Sequence, residues 1–248
     1  MNSKLRTQCH RAGKAAMAFA LAGAAAGAFA VPPKVGGTPL PDPTADTVAK
    51  QQEAAMRHVT DAVTVVQQLN SDPRMKSALQ RARGVFIVPT YGRAALGLGA
   101  SGGTGMLLVR REGGAWSDPA FYNIGSLSVG LQAGAEGGPI AMVLNNEKAV
   151  AKFMQNNPFS LSADAGLTIV NWAAEARGGV GDGDVLAWSG ARGLFGNAAT
   201  VAVNGIAYSQ RLNDAYYRRS ITVSEALSGK YSNAHAQGLK LALEDVSR

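Results

Sequence analysis

The glycines of this chain are concentrated in its middle and limit the folds that it can adopt. Of the 30 glycines, 23 lie between Gly84 and Gly205, where they alternate with short β-branched or aliphatic runs. Glycine weakens helices but suits tight turns and close backbone approach, so this mixture predicts strands. The predicted strands are Val85–Val88, Ala94–Ala100, Gly105–Arg110, Tyr122–Ala135, Ile140–Leu144, Leu161–Asn171, Val185–Ser189 and Ala198–Tyr208. The segments Arg111–Gly114 and Gly137–Pro139 are predicted to be turns.

Helical patterns lie mostly on either side of this glycine-rich middle. Apolar residues at three-to-four spacing, capping residues and a proline in a first turn mark their positions. The predicted helices are Ala45–Asn70, Asp72–Arg83, Glu147–Gln155, Ser224–Leu227 and Ala234–Val246. We therefore expect one α+β domain over residues 45–248. Its expected architecture is a curved, glycine-rich antiparallel sheet or partial barrel, flanked by N-terminal and C-terminal helices.

The N-terminus has the features of a secretory signal peptide. Four lysines and arginines and no acidic residue precede the apolar run Ala15–Ala30, which ends in the cleavage pattern Ala28-Phe29-Ala30. The run is shorter than the roughly 20 residues that a permanent bilayer anchor needs. We predict cleavage after residue 30 and export to a bacterial periplasm or envelope, with a retained anchor as the alternative. Residues 31–44 hold five of the ten prolines and predict an extended linker.

Removal of the signal changes what the composition implies about partners. It leaves 20 basic residues against 17 acidic ones, so the formal charge falls from +7 to +3. A nucleic-acid interface needs a concentrated basic face, and we do not expect nucleic acid as a partner. The one cysteine, Cys9, leaves with the signal. The remaining chain therefore offers no thiol for a disulfide, a metal site or a nucleophile.

No motif of the chain predicts an active site. Gly97–Gly102 matches G-x-G-x-x-G, but a strand pattern follows it where a dinucleotide site needs a helix. Gly181–Asp184 lacks the further carboxylates that a calcium loop requires. His58 and His235 are far apart, and the nucleophile pattern G-x-S-x-G does not occur. We therefore predict a protein that is not an enzyme and that uses no cofactor or metal.

The second predicted helix carries the most suggestive surface of the chain. At about 100° per residue it has one apolar stripe bordered by cations. The stripe consists of Met75, Ala78, Leu79 and Ala82. The cations are Arg74, Lys76, Arg81 and Arg83. Such a helix can lie on an anionic bilayer, with the stripe in the acyl boundary and the cations among the headgroups. The same pattern also fits a helix that packs its stripe on the sheet and leaves its cations in water.

Several short motifs follow one another along the chain. They are Gly84–Pro89 (GVFIVP), the glycine run Gly97–Gly105, Trp116–Tyr122 (WSDPAFY), Gly125–Gly134 (GSLSVGLQAG), Arg192–Gly196 (RGLFG) and Asn213–Tyr217 (NDAYY). Each motif alone is weak, whereas the ordered set is quite specific. In this set and order the chain resembles the SYLF lipid-binding domain family over roughly residues 45–231.

The resemblance implies a non-enzymatic domain that binds acidic phospholipids through a basic amphipathic segment on its N-terminal side. By position, the segment matches the four cations of the second helix. Arg218 stands where the family usually has glycine after the tyrosine pair, and with Arg219 it extends the predicted lipid-binding surface. Eukaryotic relatives bind phosphoinositides, and some engage actin. An exported bacterial protein would meet neither, so the expected partner is an anionic membrane of phosphatidylglycerol, cardiolipin or an envelope glycolipid.

Two other functions remain open from the sequence. The chain could be an envelope protein that binds another protein through exposed sheet surface. It could also be a carrier that holds a lipid inside the sheet. Our main prediction is peripheral association with an anionic membrane through Asp72–Arg83.

Overall fold

The computed structural model describes most of the chain from residue 43 to residue 246. The described ranges are 43–155, 157–161, 167–171, 183–190 and 203–246, with side chains except at 43–46, 93–101, 126–136, 170–171 and 246. The predicted signal peptide, residues 31–42 of the predicted proline-rich linker and the Arg192–Gly196 motif lie outside the described residues, whereas residues 43 and 44, predicted to end the linker, belong to the first helix.

Helices flank the sheet at both ends of the described chain. The elements in order are α1 (Pro43–Asn70), α2 (Pro73–Arg81), β1 (Gly84–Val109), β2 (Ala120–Leu144), α3 (Glu147–Phe153), β3 (Phe159–Leu161), β4 (Ile169–Asn171), β5 (Val185–Ser189), β6 (Val203–Tyr208), α4 (Gln210–Tyr217), α5 (Val223–Ser228), a short 3₁₀ helix (Ala234–Ala236) and α6 (Gln237–Val246). The expected α+β class is confirmed.

The strands β1 and β2 form one long antiparallel ribbon that bends back on itself. Pairing runs from Gly84 opposite Leu144 to Leu107 opposite Ala120. The bend brings the first half of β1 beside its second half, where a side chain at Gly105 would overlap the ring of Phe86. Two register shifts within the ribbon, after Val88 and after Leu96, add the local twist that bulges produce. The sheet is therefore curved, as the glycine content predicts.

The other strands extend this ribbon on both sides. The six-stranded sheet has the order β3-β6-β2-β5-β4, with β1 paired to β2. Strand β6 pairs with the start of β2, β5 pairs with its end, and the β4–β5 pair is parallel. The prediction of a turn at Gly137–Pro139 is wrong, because these residues lie inside β2. The predicted strand Leu161–Asn171 corresponds to two short strands, β3 and β4.

Where the side chains of the sheet are described, both of its faces carry apolar packing. Because side chains of a strand alternate between faces, Val85 and Ile87 pack with α1, α2 and α6, whereas Phe86 and Val88 pack with α3 and α5. The rings of Phe86, Tyr122 and Phe153 pack against one another, with centroids 4.9–5.9 Å apart. The sheet thus forms the middle layer of the domain.

Most predicted helices are present with small changes in their ends. The cap at Asn146 and the capping box of Thr222 and Glu225 are confirmed. The helix α4 is an addition that the sequence patterns did not predict. Among the described helices, none has both the length and the apolar character that crossing a bilayer requires.

Candidate basic docking surface

The helix α2 begins where its sequence predicts and ends two residues early. The carboxylate of Asp72 accepts hydrogen bonds from the backbone N–H of Arg74 (2.9 Å) and Met75 (3.4 Å), and Pro73 occupies the first turn. This is the arrangement of an N-cap. The helix ends at Arg81, and the next residue is extended. Arg83, predicted to lie in the helix, therefore lies in the connection to β1.

The apolar stripe of α2 is part of the protein core. Met75, Leu79 and Ala82 are fully buried, and Ala78 is 7% exposed. These side chains belong to the apolar layer that α2 forms with α1, α6 and the sheet. The prediction that the stripe enters the acyl boundary is therefore wrong for this structure. Withdrawing one of these Leu or Met side chains from the core would leave a cavity, which costs roughly 2–5 kcal/mol, so the packed alternative is favoured.

The outward face of α2 is basic and contains no carboxylate. Arg74 and Arg81 are exposed on it, and Lys76 is half-buried at its edge. The other outward residues, Ser77 and Gln80, are polar and neutral. We call this surface, together with Arg83, the α2 basic face. Its cations remain at the surface although the stripe between them is buried.

Arg83 is held by its backbone where the sheet begins. Its N–H donates to the carbonyl of Leu144, and its carbonyl accepts from the N–H of Arg110, each at 2.8 Å. Its Nε lies 3.6 Å from Oε1 of Glu147, and both side chains are more than half exposed. An exposed pair of this kind contributes at most about 1 kcal/mol, so the guanidinium can exchange this partner for another anion.

Arg110 fixes the C-terminal end of α2, a role that the sequence did not reveal. Its Nη2 donates to the carbonyl of Leu79 (3.1 Å) and its Nε to that of Ala82 (3.2 Å), and its guanidinium lies 4.6 Å from the centre of the Trp116 ring. A cation at the last carbonyls of a helix stabilises that end. Burial lowers the pKa of Arg110, and the nearby charge of Arg83 lowers it further. The contact joins residues 31 positions apart, which local patterns cannot show.

Arg218 and Arg219, which were predicted to extend the lipid-binding surface, each make a separate contact. Arg218 ends α4 in the left-handed region, with φ of 55°. With the amide of Gln52 turned so that its oxygen faces Arg218, Nε and Nη2 of the guanidinium each donate to this oxygen at 3.0 Å. Gln52 lies eighteen residues before the end of α1, about 27 Å along the helix from the connection to α2. Arg218 therefore contacts the side of α1. Arg219 instead lies over the ring of Tyr231.

Asp184 and His235, two of the residues weighed as metal ligands, have structural partners. The carboxylate of Asp184 accepts from Thr168 N–H (2.8 Å) and Asn146 Nδ2 (2.7 Å). The hydrogen bond from Thr168, followed by that from Asn146, lowers the pKa of Asp184. His235 Nε2 lies 3.0 Å from the carbonyl of Met56. Within the described ranges, no three His, Cys, Asp or Glu side chains form a possible metal site.

Comparison with known proteins identifies relatives for most of the glycine-rich middle and the C-terminal helices. The family model Ysc84, described as "Las17-binding protein actin regulator", matches residues 125–246. An SH3 domain-containing protein of Schizosaccharomyces pombe is 29% identical over 167 residues, covering 64% of this chain and 38% of that protein. Protein YSC84 of Saccharomyces cerevisiae is 29% identical over 159 residues, covering 61% of this chain and 33% of that protein.

A vertebrate protein shows the same relationship. The SH3 domain-containing YSC84-like protein 1 of Xenopus laevis is 26% identical over 156 residues, covering 61% of this chain and 46% of that protein. The chain therefore spans only about a third to a half of the length of these relatives. No solved structure matches the chain.

Proposed function

The chain is a member of the SYLF (Ysc84) family, and on this basis we propose that it is a non-enzymatic domain that binds the surface of an anionic phospholipid membrane. The observation that carries the proposal is the α2 basic face. Three cations lie on the outward side of one short helix that has no acidic residue, and Arg83 follows them. Charge of this density attracts a negatively charged bilayer surface.

The proposed contact is made at the level of the headgroups. Because the apolar stripe packs in the core, binding uses the cations without insertion of α2 into the acyl region. Each cation near an anionic surface contributes on the order of 1 kcal/mol, so four supply about 4 kcal/mol. A free energy of that size corresponds to a dissociation constant of about 1 mM. The proposed binding by this face alone is therefore weak and sensitive to salt.

The place of action follows from the predicted signal peptide and is part of the proposal. An exported protein would meet the lipids of a bacterial envelope, of which phosphatidylglycerol and cardiolipin are anionic. The proposed state is peripheral association with such a membrane. The family description "actin regulator" is said of other proteins, and actin is not a partner that we propose for this chain.

A second candidate function is protein binding in the envelope. Its supporting observation is that the family description and the name "LAS seventeen-binding protein 3" both refer to binding of a protein. The residues that the family model matches, 125–246, also do not include α2. This function predicts a partner that is retained in high salt and no vesicle binding. The third possibility, a carrier, has less support, because packed side chains cover both faces of the sheet over the strand residues whose side chains are described.

Co-sedimentation with vesicles tests the main proposal. The chain from Val31 onward, which contains the whole described core, is mixed with phosphatidylcholine vesicles with or without phosphatidylglycerol. We expect pelleting with the anionic vesicles alone, and its loss at 0.5 M NaCl. The α2 variant R74Q/K76Q/R81Q/R83Q should lose most of this binding. The matched control K50Q/R57Q/K152Q/R211Q removes the same charge elsewhere and should retain most of it.

Two results would reject the proposal. One is equal pelleting with neutral and anionic vesicles, which would exclude recognition of charge. The other is equal loss in the α2 variant and in the control, which would show that only net charge matters. A Leu79→Ala variant separates the packed stripe from an inserted one. Loss of its buried side chain should lower the free energy of unfolding by about 2–5 kcal/mol and leave the vesicle affinity of the folded protein unchanged.

A further inference from the structure

A second group of cations surrounds the turn that follows α5. The guanidinium carbon of Arg219 lies 3.9 Å from the centre of the Tyr231 ring, and Nζ of Lys230 lies 5.2 Å from the same point. The guanidinium of Arg111 approaches Gly229 so closely that a Cβ at this position would overlap Nη1. We call Arg111, Arg219, Lys230 and Tyr231 the turn cluster.

The backbone conformation of this turn leaves space for the charged side chains. Gly229 ends α5 with φ of 80°, a left-handed conformation that glycine adopts without strain. Its missing side chain leaves the space that the Arg111 guanidinium occupies. Arg219 stacks on the ring of Tyr231, which limits the motion of its guanidinium. Two of the three cations are thus placed by the fold.

The turn cluster has no carboxylate partner within the described part of the chain. The ion pairs in this part of the chain are formed by residues outside the turn cluster. The hydrogen bonds from Thr222 lower the pKa of Glu225, and the charges of Lys230 and Arg219 lower it further. The carboxylate of Glu225 accepts from the N–H and the hydroxyl of Thr222, at 3.0 and 2.9 Å, instead of pairing with either cation. Three like charges around one turn repel each other. Such a group is stabilised when an external anion binds it.

The hairpin between β1 and β2 connects the turn cluster to the α2 basic face. Arg110 and Arg111 are successive residues at the end of β1, so their side chains leave on opposite sides of the sheet. Arg110 holds the C-terminal carbonyls of α2, whereas Arg111 reaches the turn after α5. Residues 112–115 between the strands are exposed, and only Glu112 among them has a long side chain. One edge of the sheet therefore has cations on both sides.

We propose that the turn cluster is a second site for anionic headgroups, which binds phosphate oxygens of the same bilayer that the α2 basic face contacts. This inference rests on the proposed function and deepens it. The guanidinium groups of Arg111 and Arg219 can each donate two parallel hydrogen bonds to a phosphate, and Lys230 adds a third charge. Two weak contacts in one rigid domain bind more tightly than either alone, because the second contact becomes intramolecular.

Vesicle binding by two variants and their combination tests this inference. The turn variant is R111Q/R219Q/K230Q, and its matched control is R57Q/K152Q/R211Q. We expect the turn variant to lower the partition coefficient for phosphatidylglycerol vesicles by about tenfold, the change that about 1.4 kcal/mol produces. The slope of binding against salt concentration should also fall. The partition coefficient of the control should stay within about twofold of the wild-type value, a much smaller change than the tenfold loss expected for the turn variant.

The outcomes separate this inference from the proposed function. If the α2 variant loses binding and the turn variant does not, the inference is wrong and the proposed function stands. If only the turn variant loses binding, the inference stands and the assignment to α2 fails. If the wild-type protein does not bind anionic vesicles, both fail. The inference would also be overturned if the wild-type turn cluster binds inorganic phosphate in solution but the turn variant binds vesicles as well as the wild type does.

Changes in fold are measured separately. Urea unfolding of each variant shows whether lost binding reflects a lost structure. The turn variant removes like-charge repulsion but also the stacking of Arg219 on Tyr231, so its urea midpoint should stay near that of the wild type. Arg219→Lys keeps the charge and loses the planar fork. It should bind vesicles less well than the wild type at an unchanged urea midpoint, which a purely structural role of Arg219 would not produce.

Discussion

Asn213 forms two hydrogen bonds with the backbone of Phe121. Its Oδ1 accepts from the N–H of Phe121 at 2.9 Å, and its Nδ2 donates to the carbonyl at 2.8 Å. The side chain is fully buried, and its Nδ2 also donates to the carbonyl of Ser209. The amide thus completes the pairing of β2 at a point where a helix, rather than a strand, lies beside it. This explains why an asparagine occupies the middle of α4.

Asn213→Ala is expected to lower the free energy of unfolding by about 2–3 kcal/mol. The substitution leaves the N–H of Phe121 buried without an acceptor, which costs about 1–3 kcal/mol, and also removes packing. Urea unfolding monitored by circular dichroism measures the change. Asn123→Ala, at an exposed position of the same strand, is the control and should change the stability by less than about 0.5 kcal/mol. Equal effects of the two variants would contradict this interpretation.

The sequence predicted those features whose signals are local. Asp72 with Pro73, Asn146, and Thr222 with Glu225 each mark a helix start by contacts within a few residues, and all three starts are present. The turn at Arg111–Gly114 and the strand Val185–Ser189 are equally local and were also predicted. The glycine-rich composition predicted the curved sheet.

Features that depend on distant partners were missed. Gly137–Pro139 has the composition of a turn, yet Pro139 lies opposite the register shift between Val88 and Tyr91. A strand tolerates a proline beside such an irregularity, since no regular ladder N–H is needed there. The helix α4 was missed because its buried asparagine and paired tyrosines are poor helix formers, and its partner Phe121 is 92 residues away.

The sequence predicted the surface cations of α2. The prediction that the apolar stripe between them enters a membrane was wrong. An apolar stripe between cations has the same spacing whether it packs on a sheet or on a membrane. Only the tertiary structure shows that Met75 and Leu79 are core residues. The turn cluster could not be found in the sequence, because Arg111 and Gly229 are brought together by the fold.

Gly205→Ala is expected to prevent stable folding. Gly205 has φ of 65°, and a Cβ there would overlap the carbonyl oxygen of Gly125 in the paired strand. The left-handed conformation alone costs a non-glycine residue roughly 1–2 kcal/mol, and the overlap adds to it. Gly92→Ala, where no atom lies within 4 Å of the new Cβ, is the matched control. Soluble yield and urea midpoint should fall for the first variant and stay near wild type for the second. A wild-type midpoint for Gly205→Ala would exclude the close approach.

Arg218→Gly is expected to stabilise the protein by about 1 kcal/mol. The arginine ends α4 in the left-handed region, where glycine is the favoured residue and an L side chain is strained. The substitution loses the hydrogen bonds to Gln52, which are exposed and contribute less than the strain. Arg211→Gly, inside the same helix, should instead destabilise the protein by about 1 kcal/mol. Urea unfolding of both variants checks the opposite signs, and the same sign for both would contradict the account.

The stability of the domain is expected to fall in acid partly through Asp184. The hydrogen bonds from Thr168 and Asn146 favour the carboxylate, so they lower the pKa of Asp184 below its ordinary value of 3.8. A group whose pKa is lowered by folding contributes stability above its unfolded pKa and loses it as the pH falls through the folded one. Asp184→Asn keeps the shape and removes the charge. The wild type should therefore be more stable than this variant by about 1–2 kcal/mol at pH 7, and the difference should begin to shrink as the pH falls below the ordinary value of 3.8.

Urea unfolding at pH 7, 5 and 3 measures this difference directly. The side chain of Asp184 is 16% exposed, so solvent weakens its hydrogen bonds only in part. Asp61→Asn, at an exposed position of α1, gives the change expected for loss of a surface charge. A difference between wild type and Asp184→Asn that stays constant from pH 7 to pH 3 would show that the carboxylate charge does not hold the start of β5 to α3. A difference that is the same at pH 7 and pH 5 but smaller at pH 3 would assign the acid sensitivity of these contacts to the ionised Asp184 carboxylate.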